Sequence, residues 1–181
     1  TYDLTYYWLV SPEDAALTTP LVDVLDIDDN LIAQAPEDLV EQIALEGSGY
    51  LPEPDGRLIN LACACPWPDS RFEVIDTSVA PWGIDARGEP LEPIRTLAVD
   101  PDQIDLGDEV YLADFDGLEL EDGTTHDGCF VAGDTGYTIS GKHIDLFAGT
   151  QSNYAYLDDA LNQATETELK AIAKPAISGR R

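Results

Sequence analysis

The sequence predicts a mainly β chain with one or two short helices, and three observations carry that prediction. Apolar and polar residues alternate at period two over short runs, most clearly in His143-Ile-Asp-Leu-Phe147. Glycine, proline and Asp/Asn clusters punctuate these runs, as in Asp26-Ile-Asp-Asp-Asn30 and Asp55-Gly56. One stretch, residues 36–47, carries a full set of helix start and stop signals.

Residues 4–10 are aromatic and apolar almost throughout, which reads as a strand covered on both faces. Successive side chains point opposite ways, so one of Tyr6 and Tyr7 faces away from the core, and we take Tyr6 as a candidate ligand contact. Residues 21–25 and 31–34 flank the acidic turn 26–30 and form a β-hairpin. That turn lacks the glycine and distal glutamate of an EF-hand, so it reads as turn chemistry rather than a calcium loop. Pro36 at a first helical position, Glu37 and Asp38 in the first turn, apolar Leu39, Val40, Ile43 and Ala44, and Gly47 beyond the end specify a short amphipathic helix. Glu46 falls in its last turn, where a carboxylate opposes the helix dipole, so a hydrogen-bonding role or a second site carboxylate keeps it there.

A strand from Tyr50 leads to the Asp55-Gly56 turn, and strands at 57–63 and at 71–76 follow, separated by Pro66-Trp-Pro68, with loops at 81–83 and 88–90. Strands 95–99 and 109–113 bracket the Asp100-Pro101 turn. Residues 118–126 form an acidic excursion in a region, 108–122, that holds seven acids and no base, which places it at a solvated rim. The stretch 131–149 reads as strand, turn and strand, with Asp134 and Asp145 among four glycines. A short helix at 154–161, a last strand or tail at 166–172 and a frayed end at 174–181 complete the chain.

At 181 residues and 44% hydrophobic content the chain suits one core, a single domain over residues 1–173. It contains no apolar run of the roughly 18 residues a membrane helix needs. Its 36 acids against 9 bases give a net charge of −27, which repels phosphate backbones and anionic lipid heads, so neither nucleic acid nor membrane is an expected partner. A neutral or weakly charged polymer, gripped by aromatics and backbone, suits such a surface. Three cysteines and two histidines do not make a zinc site, and no metal or other cofactor is expected. Cys63 and Cys65 share one side of an extended segment, so a disulfide would join one of them to Cys129; otherwise the three are free and buried.

Asp100, Asp134 and Asp145 are the acid/base candidates, because each lies at a strand end or inside an apolar strand, where desolvation raises a carboxylate pKa. Asp145, within Ile-Asp-Leu-Phe, must be paired or hydrogen-bonded, so we assign it the bracing role and Asp134 the chemistry. Asp134-Thr-Gly occurs once, whereas an aspartic protease needs two such copies, and no serine or cysteine stands in a motif with His143.

Ala-Val-Asp100-Pro, Asp-Leu-Gly107-Asp-Glu-Val-Tyr, Gly-Asp134-Thr-Gly and Ile-Asp145-Leu-Phe resemble the successive motifs of the three-aspartate (3D) domain, which also forms the barrel of the membrane-bound lytic transglycosylase A family. The resemblance covers roughly residues 94–149, with Thr5-Tyr-Tyr-Trp8, Glu46-Gly-Ser-Gly49 and Asp55-Gly-Arg-Leu-Ile-Asn60 similar to the opening segments of larger 3D proteins. It implies a six-stranded double-psi β-barrel that cleaves the MurNAc–GlcNAc bond of peptidoglycan without water, leaving a 1,6-anhydro sugar, in the cell envelope and in a mature form without its targeting peptide. Asp134 would protonate the glycosidic oxygen and then take the proton of the C6 hydroxyl as it attacks C1. Thr135 and Gly136 would contact the saccharide through the backbone, and Lys142 and His143 a lactyl or peptide carboxylate. Trp67 and Trp82 would stack on sugar or pack beneath their loops. Tyr137 and Ser140 stand where the family commonly has glycine and lysine, and they motivate the alternative of a barrel that binds glycan without cleaving it.

Overall fold

The computed structural model describes residues 2–15, 17–63, 65–163 and 171–173. The chain forms two compact units, one of residues 1–7 and 85–181 and the other of residues 8–84.

The first unit is a curled six-stranded sheet. Its strands are β1 (Asp3–Trp8, whose last residue belongs to the second unit), β7 (Thr96–Val99), β8 (Glu109–Glu119), β9 (Thr125–Asp134), β10 (His143–Gly149) and β11 (Ala171–Ala173). Their order is β1-β10-β7-β9-β8-β11. The sheet is mixed: β7 runs parallel to β9, while β10 on β7, β8 on β9 and β11 on β8 are antiparallel. Leu97 and Val99, Val110 and Leu112, Phe130 and Ala132, and Ile144 and Leu146 project from four strands into one core with Phe115 and, from helix α2 (Gln151–Gln163), Leu157. His126 is buried there, stacked on Phe130 with ring centroids 4.6 Å apart. Its Nε2 lies 2.9 Å from the Ile94 carbonyl and its Nδ1 accepts the Gly128 amide at 2.9 Å, which fixes a neutral tautomer.

The acidic excursion is shorter than the sequence suggests. Strands β8 and β9 pair as far out as Glu119 and Thr125, because a ribbon at the sheet's rim can carry acids on the wet face and still complete its backbone bonds. Irregularities beyond Tyr111 absorb the uneven hydrophobic period that ended the predicted strand at residue 113.

In the second unit, β2 (Leu21–Leu25) and β3 (Leu31–Pro36) form the predicted hairpin. The Asp26 carboxylate accepts the amides of Asp28 and Asn30, so that acidic turn is closed by its own backbone. Helix α1 (Glu37–Glu46) follows and ends at Gly47, whose φ of 93° is the left-handed conformation that glycine adopts without strain. Pro36 is not in the first helical turn; it ends β3, paired with Leu21, and Thr19 from outside the helix accepts the Asp38 amide at 2.9 Å. Strands β4 (Ser48–Tyr50), β5 (Leu58–Leu61) and β6 (Phe72–Val74) form a small antiparallel sheet over the buried face of α1. Trp67 packs against this core, the under-loop fate of the two considered for it.

The cysteine expectation is corrected: Cys63 and Cys65 are joined to each other, and Cys129 is free and exposed. The premise of a continued strand fails because β5 ends at Leu61, and the chain then bends so that the two Cα atoms lie 5.2 Å apart, within disulfide reach. The predicted tail at 174–181 and the first part of the last strand, 166–170, lie outside the described residues.

Candidate active site

Three strands of the first unit meet at one row. Asp145 of β10 pairs with Ala98 of β7, and Ala98 pairs with Asp134 of β9, so the two aspartates flank one small residue on a single face of the sheet. Two strand spacings separate their Cα atoms by about 10 Å. Simple alternation would not put Asp134 there. Leu97 pairs with Ala132 and Ala98 with Asp134, so Gly133 is an extra residue, and this bulge turns Asp134 from the core face of Ala132 to the face of Ala98.

Asp134 is held by several donors. The Tyr7 hydroxyl donates to Oδ2 at 2.9 Å and the Thr135 amide to Oδ1 at 2.9 Å, while the Ala86 amide also favours its charged form. Burial nevertheless dominates and, with the nearby Asp85 charge, lifts the Asp134 pKa to about 6. Tyr7 is buried against Phe147, ring centroids 5.1 Å apart, and burial next to Asp134 raises its pKa well above 10.0, so it remains a neutral donor.

Asp145 is held more loosely. The Thr5 hydroxyl donates to Oδ1 at 2.8 Å and lies 2.8 Å from His143 Nε2, linking β1 to β10 in a His143–Thr5–Asp145 chain. Burial raises the Asp145 pKa, opposed by the Thr5 bond and the His143 charge. The sequence assigned chemistry to Asp134 and bracing to Asp145; among the described residues, Asp134 accepts one backbone amide and a phenol on its two oxygens, and Asp145 accepts one hydroxyl.

Asp100 is a clamp. Its Oδ1 accepts the Asp102 amide at 2.9 Å and its Oδ2 the Gly141 amide at 2.5 Å, which ties the turn after β7 to the far end of loop 135–142. Thr135 and Gly136 are exposed in that loop, as is Lys142, whose carbonyl accepts the Asp3 amide at 2.8 Å. Tyr6 faces the other way from Tyr7, packing on Tyr154 with centroids 5.4 Å apart. Glu46 belongs to the second unit, where its Oε2 accepts the Trp8 amide at 3.2 Å. The structure thus brings Asp134, Asp145, Thr135 and His143 together with Thr5 and Tyr7.

Two further side chains at the site had no sequence reading. Asp85 is buried and paired with Arg87, Oδ2 to Nη2 at 2.7 Å, against Gly133. Thr5 and Tyr7 could have been selected together, since residues i and i+2 of a strand share a face. Asp85-Ala-Arg87-Gly carries only an ordinary turn signal.

Residues 95–158 match the 3D domain. The matched region of the 3D domain runs from β7 into α2 and contains Asp100, Asp134 and Asp145. Among solved structures, the fold is similar to E. coli MltA with bound chitohexaose, at TM-score 0.56 and 14% identity over 82% of this chain and 65% of that chain. It is also similar to the membrane-bound lytic murein transglycosylase from Agrobacterium tumefaciens, at TM-score 0.52 and 18% identity over 94% of this chain and 71% of that one. The chain therefore spans just under two thirds of the length of the E. coli protein. No curated protein matches it by sequence. No helix among the described residues is long and apolar enough to cross a membrane.

Proposed function

We propose that this chain is a lytic transglycosylase of the cell envelope, cleaving the MurNAc–GlcNAc β-1,4 bond of peptidoglycan and forming 1,6-anhydroMurNAc. The observation that carries this reading is the Asp145–Ala98–Asp134 row, two carboxyls with raised pKa on one face of a fold similar to that of MltA. Asp145 is the better acid/base of the two. A proton donor needs a raised pKa and an oxygen not already committed to fixed donors, and among the described residues Asp145 has a single hydroxyl partner. Protonated Asp145 gives its proton to the glycosidic oxygen as the C1–O bond breaks. The resulting carboxylate takes the proton of the C6 hydroxyl as O6 bonds to C1, so no water is consumed and the carboxyl is regenerated. Thr5 and His143 orient Asp145, and Asp134 braces the row through Tyr7 and Thr135.

Mass spectrometry of purified sacculi after digestion tests this reading. Products that end in anhydro sugar, about 18 Da lighter than their hydrolysed counterparts, support it. Reducing ends alone indicate a hydrolase. Sacculi that retain the protein with no release indicate a binding barrel, the reading that Tyr137, exposed in the loop after Asp134, would favour.

A further inference from the structure

We propose that the Asp85–Arg87 pair is the mount of Asp134: packed against Gly133, it holds the bulge that turns Asp134 into the row and balances the charge beside it. The proposal rests on the acid/base reading above and adds two positioning residues to it.

Asp85 gathers the loop on which it sits. Its Oδ1 accepts the amides of Arg87 at 2.8 Å and Glu89 at 3.0 Å, and its Oδ2 accepts Arg87 Nε at 2.9 Å and Nη2 at 2.7 Å. The Asp85 amide in turn donates to the Glu89 carbonyl at 2.8 Å. The Asp85 side chain is 0% exposed, whereas every other ion pair among the described residues joins side chains at least 25% exposed. Surface pairs contribute little, but a fully buried carboxylate is costly without its counter-charge, so Arg87 is required where the other arginines are not.

The outer side of this pair meets the bulge. A Cβ on residue 133 would stand 2.6 Å from Asp85 Oδ2, 2.9 Å from Thr96 Cγ2 and 3.2 Å from Arg87 Nη2. Residue 133 has no side chain because the ion pair occupies that space. Asp134 is the next residue, and the Asp85 charge acts on both Asp134 and Tyr7. The charged and titratable groups around Asp134 are Tyr7 from β1, Asp85 and Arg87 from loop 85–89, and Asp145 with His143 from β10.

The test is the titration of the Asp134 side-chain carboxyl, followed by carbon NMR in wild type, Arg87→Gln, Asp85→Asn and the double variant. Arg87→Gln leaves Asp85 uncompensated and should raise the Asp134 midpoint by about half a pH unit or more, while Asp85→Asn should lower it by a similar amount. The double variant should return close to wild type. A purely structural loop would not give opposite signs. Shifts of the same sign, or none, would overturn the mount. If Asp85→Asn does not fold, Arg87→Gln against Arg87→Lys decides the matter, because lysine keeps the charge and must hold the midpoint within about 0.3 unit of wild type. Sacculus turnover on the same proteins separates the two readings. Opposed shifts in a protein with no turnover keep the mount and remove the transglycosylase, and turnover without the shifts does the reverse.

Discussion

The Tyr7 hydroxyl donates to Asp134 Oδ2 at 2.9 Å across 127 residues of chain. Without that donor the Asp134 carboxylate would remain buried with one fewer partner, and its pKa would rise above about 6. Tyr7→Phe should therefore destabilise the protein by about 1–3 kcal/mol at pH 8, where Asp134 is charged. The loss should be smaller at pH 4, where the protonated acid no longer depends on the phenol. Urea unfolding at the two pH values measures this, and an equal loss at both would mean that ring packing on Phe147 is all that Tyr7 supplies.

Asp134 itself links stability to pH. Its pKa is about 6 in the fold against an ordinary aspartate value of 3.8, so the folded state binds more protons over that interval. The associated stability is complete below about pH 4 and disappears as pH rises past 6, a swing of about 3 kcal/mol. Other acids titrate in wild type and Asp134→Asn alike, so the quantity to read is the difference between their unfolding free energies. Relative to the variant, wild type should lose about 2.4 kcal/mol of that swing from pH 4 to pH 7. A flat difference would show that Asp134 titrates normally.

The two aspartates of the row should separate by phenotype. Asp145→Asn keeps the shape and can still hydrogen-bond to Thr5, so it should melt close to wild type while turnover on sacculi falls roughly 100-fold or more. Asp134→Asn should change both, because an amide cannot satisfy the Tyr7 and Thr135 donors in the same way. An Asp145→Asn protein with normal turnover would return the chemistry to Asp134.

Thiol counting checks the cysteine pairing. The native, unreduced protein should react with one equivalent of a thiol reagent at Cys129, and the reduced, unfolded protein with three. Peptide mapping should find Cys63 and Cys65 in one cross-linked fragment; Cys129 in a mixed disulfide with either would contradict the structure.

What the sequence revealed and what it hid divide along range. The hairpin around Asp26 and the helix ended by Gly47 were legible, because local turn and cap chemistry decides them. The three aspartates were legible as motif positions. The face that Asp134 shares with Asp145 was not, because a bulge at Gly133 reverses which way Asp134 points, and a one-residue insertion leaves no mark on the hydrophobic alternation beside it. The Cys63–Cys65 bridge was hidden for a similar reason: a bend two residues after β5 invalidates distances read from an extended chain. Asp85 and Arg87 looked like a turn, and only tertiary packing brings that turn against Gly133.

The dependence of both aspartates on β1 has a consequence for dissecting the protein. Residues 95–158 hold all three aspartates, yet Thr5, Tyr7, Asp85 and Arg87 all lie outside them. Closing Thr5 onto Asp145 spans 140 residues, a contact of high loop-closure cost that local structure cannot form in advance. The smallest excisable unit that keeps the site is therefore not the matched segment. The N-terminal strand supplies both partners from outside that segment, so a chain lacking its first eight residues should lose them and is a candidate for rescue in trans by a peptide of that sequence.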